Sequence, residues 1–203
     1  MSIVRTVVLL PIVALVLLGA GVAEAVDSDS SHPPDSGQVE GREFEAEPVQ
    51  FVLYEDGRIS YDPADVESVE AAASLAASNP EATPNALGIP NACAFGVHNP
   101  HYSTDKNTGN AIVNSKTTMR CTGRYRIQVI MRFQVYADRW YSHSDNVHRA
   151  FTTTPGKKHV FYNSLNCPVR GTYRNQSTGY VRWPSGQWGS ATANSGTFGA
   201  NCW

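Results

Sequence analysis

Two histidines three positions apart are the first residues in this chain that could bind a metal ion. They stand in the run His98-Asn99-Pro100-His101, where Pro100 favours a turn over a helix. No glutamate, aspartate or cysteine lies nearby at a spacing typical of a metal-ligand set. We therefore interpret both as ordinary loop histidines, and we predict no metal and no cofactor.

The run Ser142-His143-Ser144-Asp145 combines the residue types of a nucleophile, a base and an acid. A catalytic triad is defined by geometry, however, and no G-x-S-x-G elbow is present in the sequence. Only three acidic residues follow position 90 and none is adjacent to another, which disfavours a two-carboxylate glycosidase site. We expect a polar hairpin loop here, and we lean against an enzyme, with no catalytic residue assigned.

Charge is divided unequally along the chain. Residues 26–90 contain 14 acidic and two basic residues, a net charge of −12. Residues 91–203 contain three acidic and 13 basic residues, a net charge of +10. Such asymmetry is informative about binding partners rather than about the fold.

Four basic residues carry the binding prediction: Lys116, Arg120, Arg126 and Arg132. They occupy the even positions of two predicted strands, so they would gather on one solvent-facing sheet if those two strands pair. Such a surface favours an anionic partner, for example teichoic acid, anionic lipid or extracellular nucleic acid. The alternative, which we weigh equally, is a soluble surface whose charge only balances the acidic segment.

Aromatic side chains would add a surface for sugars or polymers if they were exposed. The candidates are Trp140, Tyr141, Tyr180, Trp183, Trp188 and Trp203. Large aromatics that alternate into a β core are commoner, so we expect core burial for about half of them.

The stretch from Tyr125 to Tyr136 organises the elements that must position these residues. Its odd positions are apolar or aromatic and its even positions are mostly polar, which predicts a long antiparallel strand with one buried face. Ile112 to Cys121 alternates in the same way. Further strands are predicted at 139–142, 147–151, 159–167, 170–174 and 179–183, with a last Gly- and Ala-rich strand that ends at Cys202-Trp203. Regularly spaced short strands predict an all-β, antiparallel β-sandwich, immunoglobulin-like or related.

The N-terminal part has the features of an exported protein. Arg5, an apolar run, and the small-x-small site Ala23-Glu24-Ala25 predict a signal peptide over residues 1–25. Residues 26–90 are predicted to be largely disordered, apart from a hairpin around Asp56-Gly57 and one short helix that begins after Asp62. No later apolar run is long enough to span a bilayer. We therefore expect a secreted, extracellular protein with no membrane span in its mature form.

An even number of cysteines in an exported chain predicts two disulfides among Cys93, Cys121, Cys167 and Cys202. Three pairings are open. We favour Cys93–Cys121 and Cys167–Cys202, because each of these bridges closes one local segment. A metal site of four thiolates is disfavoured because no C-x2-C spacing is present.

One resemblance covers roughly Cys93 to Cys202. It is carried by the cysteine positions within strands, by residues 114–121, by Asp138-Arg139-Trp140-Tyr141, and by Asn166-Cys167 with Gly171-Thr172-Tyr173-Arg174 behind it. These features resemble a group of small exported proteins of Gram-positive bacteria, especially actinobacteria. The resemblance implies export, a disulfide-tied β fold and no catalytic residues.

The sequence thus predicts three segments: a signal peptide at 1–25, an acidic pro-segment or linker at 26–90, and a basic β-sandwich domain at 91–203. The predicted function is a secreted module that binds an anionic cell-envelope polymer or surface, with the acidic segment as an intramolecular, removable mask. The alternatives are a secreted antibacterial toxin masked by the same segment and, less favoured, a secreted hydrolase.

Overall fold

The computed structural model describes residues 47–104, 111–166 and 170–200, without the side chains of 104, 144–147 and 149. The predicted signal peptide, residues 26–46 of the acidic segment, and the cysteines Cys167 and Cys202 lie outside the described residues. What is described is mostly strand, arranged in two antiparallel sheets with one α-helix.

The elements follow one another in a simple order, in which the helix separates a small N-terminal hairpin from the remaining strands. They are β1 (Val49–Tyr54), β2 (Ile59–Ser60), α1 (Pro63–Ser78), a 3-10 turn (Asn85–Leu87), β3 (Ala92–Val97), β4 (His101–Thr104), β5 (Ala111–Cys121), β6 (Arg126–Tyr136), β7 (Trp140–Thr152), β8 (His159–Asn166), β9 (Gly171–Arg182), β10 (Trp188–Asn194) and β11 (Phe198–Ala200).

The first sheet is built around β5. Strands β3 and β4 pair with successive parts of β5, and β8 pairs with most of its length. Strand β1 pairs with β3, and the short β2 completes the hairpin with β1. The second sheet has the order β10-β9-β6-β7, with β11 beside the beginning of β9.

The predicted long strand is confirmed as β6, and its odd positions from Ile127 to Phe133 are buried. One apolar cluster takes members from both sheets, among them Phe51, Leu53, Phe95 and Met119 of the first sheet and Ile127, Val129, Met131 and Val181 of the second. The rings of Phe51 and Phe95 stack with their centroids 4.8 Å apart. The inner faces of the two sheets therefore share a core, and we call the opposite faces the outer faces.

Side chains of opposite sheets also meet through hydrogen bonds. Thr117 of β5 and Ser177 of β9 share a hydroxyl hydrogen bond of 2.6 Å, and the side-chain amide of Asn175 donates to Ser177 at 3.2 Å. All three residues are buried. Paired polar groups of this kind hold two sheets in one register, since a shift would leave a buried hydroxyl without a partner.

Helix α1 forms where the sequence predicts it. The Asp62 carboxylate accepts a hydrogen bond from the backbone amide of Ala64 at 2.9 Å, and Pro63 takes the first helical position. The buried stripe is Val66, Val69, Ala73 and Ala76, which share one helical face at three- and four-residue spacing. Val66 and Val69 pack on Val52 and Ala94, so the helix covers part of the outer face of the first sheet.

The predicted boundary at Pro90 falls between two strands that pair with each other. Strand β1 precedes it and β3 follows it, and they pair over six residues from Val49↔Val97 to Tyr54↔Ala92. Phe51 and Leu53 of β1 are buried in the shared core. A chain without residues 26–90 would therefore lack a strand of the first sheet.

The predicted disulfide Cys93–Cys121 is confirmed. The two cysteines are direct partners in the β3–β5 register, and both are fully buried. A bridge over 28 positions contributes about 3–4 kcal/mol in the chain-entropy account. The predicted Cys167–Cys202 bridge falls outside the described part of the chain and stays a prediction.

Two predictions of separate short strands are wrong. Residues 139–142 and 147–151 belong to one long strand, β7, whose pairing with β6 is interrupted by two register shifts. Residues 170–174 and 179–183 likewise belong to one strand, β9. The polar residues between the two predicted pieces of β9 are Asn175, Gln176, Ser177 and Thr178, and they continue the strand because its sheet neighbours pair with them.

Candidate anion-binding surfaces

The four predicted binding residues lie on two different sheets. Lys116 and Arg120 are on β5 of the first sheet, whereas Arg126 and Arg132 are on β6 of the second. The condition for one shared surface was that these two strands pair. Strand β5 pairs with β3, β4 and β8, and β6 pairs with β7 and β9, so the four residues form two separate pairs.

The larger concentration of charge is on the outer face of the second sheet. The alternation of β6 and β9 places four arginines there: Arg126, Arg132, Arg174 and Arg182. We call this surface the arginine face. The other residues of β6 and β9 on this face are mostly glutamines, threonines and tyrosines. Ile130 is the one aliphatic residue among them.

At one end of the arginine face two arginines occupy neighbouring strand positions. Arg126 and Arg182 are direct cross-strand partners, and both are exposed. Trp188 of β10 is the next partner in the same row, with 51 % of its surface exposed. Side chains of direct partners have Cβ atoms about 5 Å apart, and like charges at this distance destabilise the sheet. An anion bound over this row would remove that repulsion.

At the other end an arginine is held in place by its neighbours. The Arg174 Nε donates a hydrogen bond of 2.7 Å to the Gln134 side-chain oxygen. The guanidinium carbon lies 4.2 Å from the centroid of the Trp140 ring, which in turn meets Tyr136 edge-on at 5.3 Å. Such stacking orients the guanidinium plane and leaves a rigid, amphipathic surface.

Between these ends, side-chain hydrogen bonds link β9 to β10 on the outer face. Thr178 and Thr192 share a hydroxyl hydrogen bond of 2.8 Å, and the Gln176 amide donates to Asn194 at 3.2 Å. These bonds fix the spacing of the flanking arginines, since each bonded pair sits one pleat from the next.

Acidic residues that follow position 90 are scarce around this face, whereas Glu55, which precedes that position, accepts a hydrogen bond from the Ser185 backbone amide at 3.2 Å in the turn between Arg182 and Trp188. Of the three that follow position 90, Asp138 lies in the β6–β7 turn, where the Tyr141 hydroxyl donates to it at 2.6 Å and lowers the pKa of its carboxyl. The β6–β7 register sets Asp145 opposite Arg132, and the side chain of Asp145 is not described. Asp105 lies outside the described residues. Among the strand pairings of the described residues, Asp145 is thus the one acidic cross-strand partner of the four arginines.

The outer face of the first sheet carries the other two predicted residues. Arg120 is the cross-strand partner of Ala94, and Lys116 lies two pleats along β5, with Thr118 between them. His98 follows β3, and its backbone amide donates to the Lys116 carbonyl at 3.0 Å. Helix α1 forms one wall beside Arg120, so this pair is more enclosed than the arginine face.

The other sequence candidates are spread apart. His101 begins β4 and is exposed, whereas His98 is half-buried beside β5. In the described ranges no three His, Cys, Asp or Glu side chains are grouped closely enough to hold a metal ion. Ser142 and His143 are exposed on β7, rather than in a loop, and the side chains of Ser144 and Asp145 are not described.

Sequence reasoning missed Arg174, Arg182 and the exposed position of Trp188. The signal was present in the alternation of β9, in which Thr172, Arg174, Gln176, Thr178, Tyr180 and Arg182 occupy one face. It was obscured because the middle of β9 resembles a polar turn. Of the candidate aromatics, Trp183 is buried and meets Tyr125 edge-on at 5.1 Å.

No protein-family model matches the chain, and no curated protein matches it at a significant level. Within the residues that the structure describes, no helix combines the length and the apolar composition that crossing a membrane requires.

Proposed function

We propose that this protein is a secreted β-sandwich module that binds an anionic polymer of a cell envelope or surface through its arginine face. The observation that carries the proposal is the cross-strand pair Arg126–Arg182, two exposed arginines at directly paired strand positions, with Trp188 next in the row. A polymer with regularly spaced phosphates or carboxylates would pair with these groups through charge-assisted hydrogen bonds.

The aromatic groups at both ends of the face support a polymer that contains sugars or other flat units. Trp188 stands beside Arg182, and the ring of Trp140 stands beside Arg174. A ring next to a guanidinium can stack on an apolar face of a ligand while the charge meets its anionic group. A ligand of this mixed character fits the face better than a simple salt ion does.

Export is supported by the sequence and by the disulfide together. A predicted signal peptide at 1–25 precedes a chain that contains the buried Cys93–Cys121 bridge. Disulfides persist in oxidising compartments and are rare in the cytosol. Both features favour an extracellular location, where anionic envelope polymers would be accessible.

The acidic N-terminal segment is an intramolecular competitor in this proposal. Residues 26–46 contain six acidic residues and one basic residue, a net charge of −5. A tethered acidic segment competes at a high effective concentration even when its own affinity is low. Because β1 belongs to the first sheet, we place the removable part of the mask before Val49.

Binding of the secreted full chain to three polymers tests the proposal: a poly(glycerol phosphate), polyglutamate and a neutral glucan. We expect saturable binding to the phosphate polymer, weaker at about 300 mM than at about 50 mM NaCl because exposed charges are screened. The double variant Arg126→Gln/Arg182→Gln should bind at least about tenfold more weakly, equivalent to about 1.4 kcal/mol.

A control variant with the same change in net charge is Arg58→Gln/Lys157→Gln, which removes two exposed charges that flank strands of the first sheet. It should bind like the unmodified protein. Equal weakening in both double variants would show that only the net charge matters. Equal binding to the neutral glucan would refute recognition of an anion.

A further inference from the structure

A small cavity lies on the outer face of the first sheet. The arginine face, by contrast, belongs to the second sheet. The cavity has a volume of about 50 Å³ and lies beside helix α1, with Val66 and Glu70 on the helical wall. By the usual allowance of 10–15 Å³ per water, this corresponds to roughly four water positions. A single tetrahedral oxyanion has a comparable number of oxygens.

Gly96 lies at the floor of the cavity, and a side chain at this position would fill part of the open space. Gly96 is the cross-strand partner of both Gln50 and Thr118. A Cβ at Gly96 would lie 2.8 Å from the Thr118 hydroxyl and 3.7 Å from the His98 Nε2. The missing side chain leaves open the point at which a hydroxyl and an imidazole converge.

Arg120 supplies a positive group to the same cavity. Its Nε is buried and has no hydrogen-bond partner. It is positioned by the row Val52–Ala94–Arg120, whose first two members pack under α1. A buried guanidinium N–H without an acceptor is unfavourable, so it calls for a ligand or an ordered water.

The remaining charged groups around the cavity are Lys158 and Glu70. Lys158 is exposed at the rim. No ion pair joins Glu70 to Arg120 or Lys158 among the contacts of these described side chains. Two cations and one anion therefore border the cavity, with hydrogen-bonding groups of Thr118, His98 and Gln50 on its floor and walls.

We propose that this cavity binds a tetrahedral oxyanion of the phosphate class, with Arg120 Nε and the Thr118 hydroxyl as buried donors and Lys158 as the charge at its entrance. The size, the donors and the unpaired Nε–H all fit a phosphate oxygen as acceptor. The ligand is either free phosphate or a phosphate group carried by a larger molecule. This site is independent of the polymer binding proposed for the arginine face.

Titration of the full chain, labelled with ¹⁵N, tests the site directly through the Arg120 Nε–H resonance. Inorganic phosphate and glycerol phosphate are the two probes, added against sodium chloride at matched ionic strength. We expect a saturable shift of that resonance with a dissociation constant of about 1 mM or tighter. A shift with inorganic phosphate alone would identify the free anion, and a tighter response to glycerol phosphate would identify a carried phosphate group.

Variants separate the site from unspecific ion binding. Thr118→Val keeps the shape of the side chain and removes one donor, and Lys158→Gln removes the entrance charge; each should weaken phosphate binding at least about fivefold, or about 1 kcal/mol. Lys157→Gln removes a neighbouring exposed charge and should leave binding unchanged. The proposal is overturned if the resonance does not respond to about 10 mM phosphate, if chloride produces the same shift, or if all three variants behave alike.

Discussion

Gly179 of β9 lies directly against the ring of Phe95 of β3, so that a Cβ at position 179 would fall within 2.5 Å of the Phe95 Cζ. These residues belong to opposite sheets. The contact explains why the middle of β9 contains a glycine, although glycine weakens a strand. The contact joins β9 to the first sheet through Phe95, which stacks on Phe51.

Gly179→Ala should lower the free energy of unfolding by about 1–3 kcal/mol, because the added methyl group overpacks the contact with Phe95. Urea denaturation followed by fluorescence measures the change. Gly199→Ala is the matched control on β11, since a Cβ there meets nothing within 4 Å. An equal loss in both variants would mean that backbone effects, rather than the Phe95 contact, decide the result.

Phe51→Ala should destabilise the protein by about 3–5 kcal/mol, because the ring is 1 % exposed and stacked on Phe95. This variant tests whether residues before Pro90 belong to the folded body. Leu75→Ala on the exposed side of α1 is the control, and it should change stability by less than about 0.5 kcal/mol. A loss below about 1 kcal/mol for Phe51→Ala would contradict the pairing of β1 with β3.

Tyr125→Phe should lower the free energy of unfolding by about 1–3 kcal/mol at neutral pH. The Tyr125 hydroxyl donates to the buried Asn91 side-chain oxygen at 2.7 Å, and its removal leaves that oxygen without this donor. The Thr122 hydroxyl, 3.1 Å from the Tyr125 hydroxyl, keeps its bonds to Pro90 and Ala92. Thermal denaturation compares the two proteins, with Tyr162→Phe on an exposed site as control.

The same tyrosine should make stability depend on pH in the alkaline range. Burial raises the pKa of Tyr125 from 10.0 to about 12. Because the folded state holds the proton more tightly than the unfolded state, this contribution is complete below pH 10 and is lost as the pH rises towards 12. The difference in stability between the unmodified protein and Tyr125→Phe should shrink over that interval, and a constant difference would contradict the raised pKa.

Removal of the Cys93–Cys121 bridge by the double change Cys93→Ala/Cys121→Ala should destabilise the protein by about 3–4 kcal/mol in the chain-entropy account. Both sulfurs are buried, so the measured loss will include the lost packing of the sulfur atoms. Calorimetry of the variant and the unmodified protein measures it. Mass spectrometry of non-reduced peptides should find Cys93 linked to Cys121, and any other partner for either cysteine would contradict the register of β3 and β5.

Trp188→Ala should weaken binding to a sugar-containing anionic polymer about tenfold, equivalent to about 1.4 kcal/mol, because it removes the exposed ring that would stack on the ligand. Titration by calorimetry measures the affinity. Tyr162→Ala, an exposed aromatic on the first sheet, is the control and should not change it. If both changes weaken binding equally, the ligand does not prefer the arginine face.

The sequence alone was sufficient for features that depend on neighbouring residues. Alternation predicted β5 and β6 with their buried faces, Asp56-Gly57 predicted the β1–β2 turn in which Gly57 has a φ of 86°, and Asp62-Pro63 predicted the start of α1. Each of these depends on side-chain direction, backbone freedom or capping within a few residues. The Cys93–Cys121 bridge is different, because it spans 28 positions and depends on the pairing of β3 with β5.

Only the tertiary structure decided which strands are neighbours. The alternation of apolar and polar residues shows which side of a strand is buried. It carries no information about which strand lies beside it. For this reason Lys116 and Arg120 are separated from Arg126 and Arg132, β1 joins the body across Pro90, and the polar middle of β9 is held in a strand by β6 and β10. The arginine face is a product of that pairing, because Arg126 and Arg182 are 56 positions apart in the chain and adjacent in the sheet.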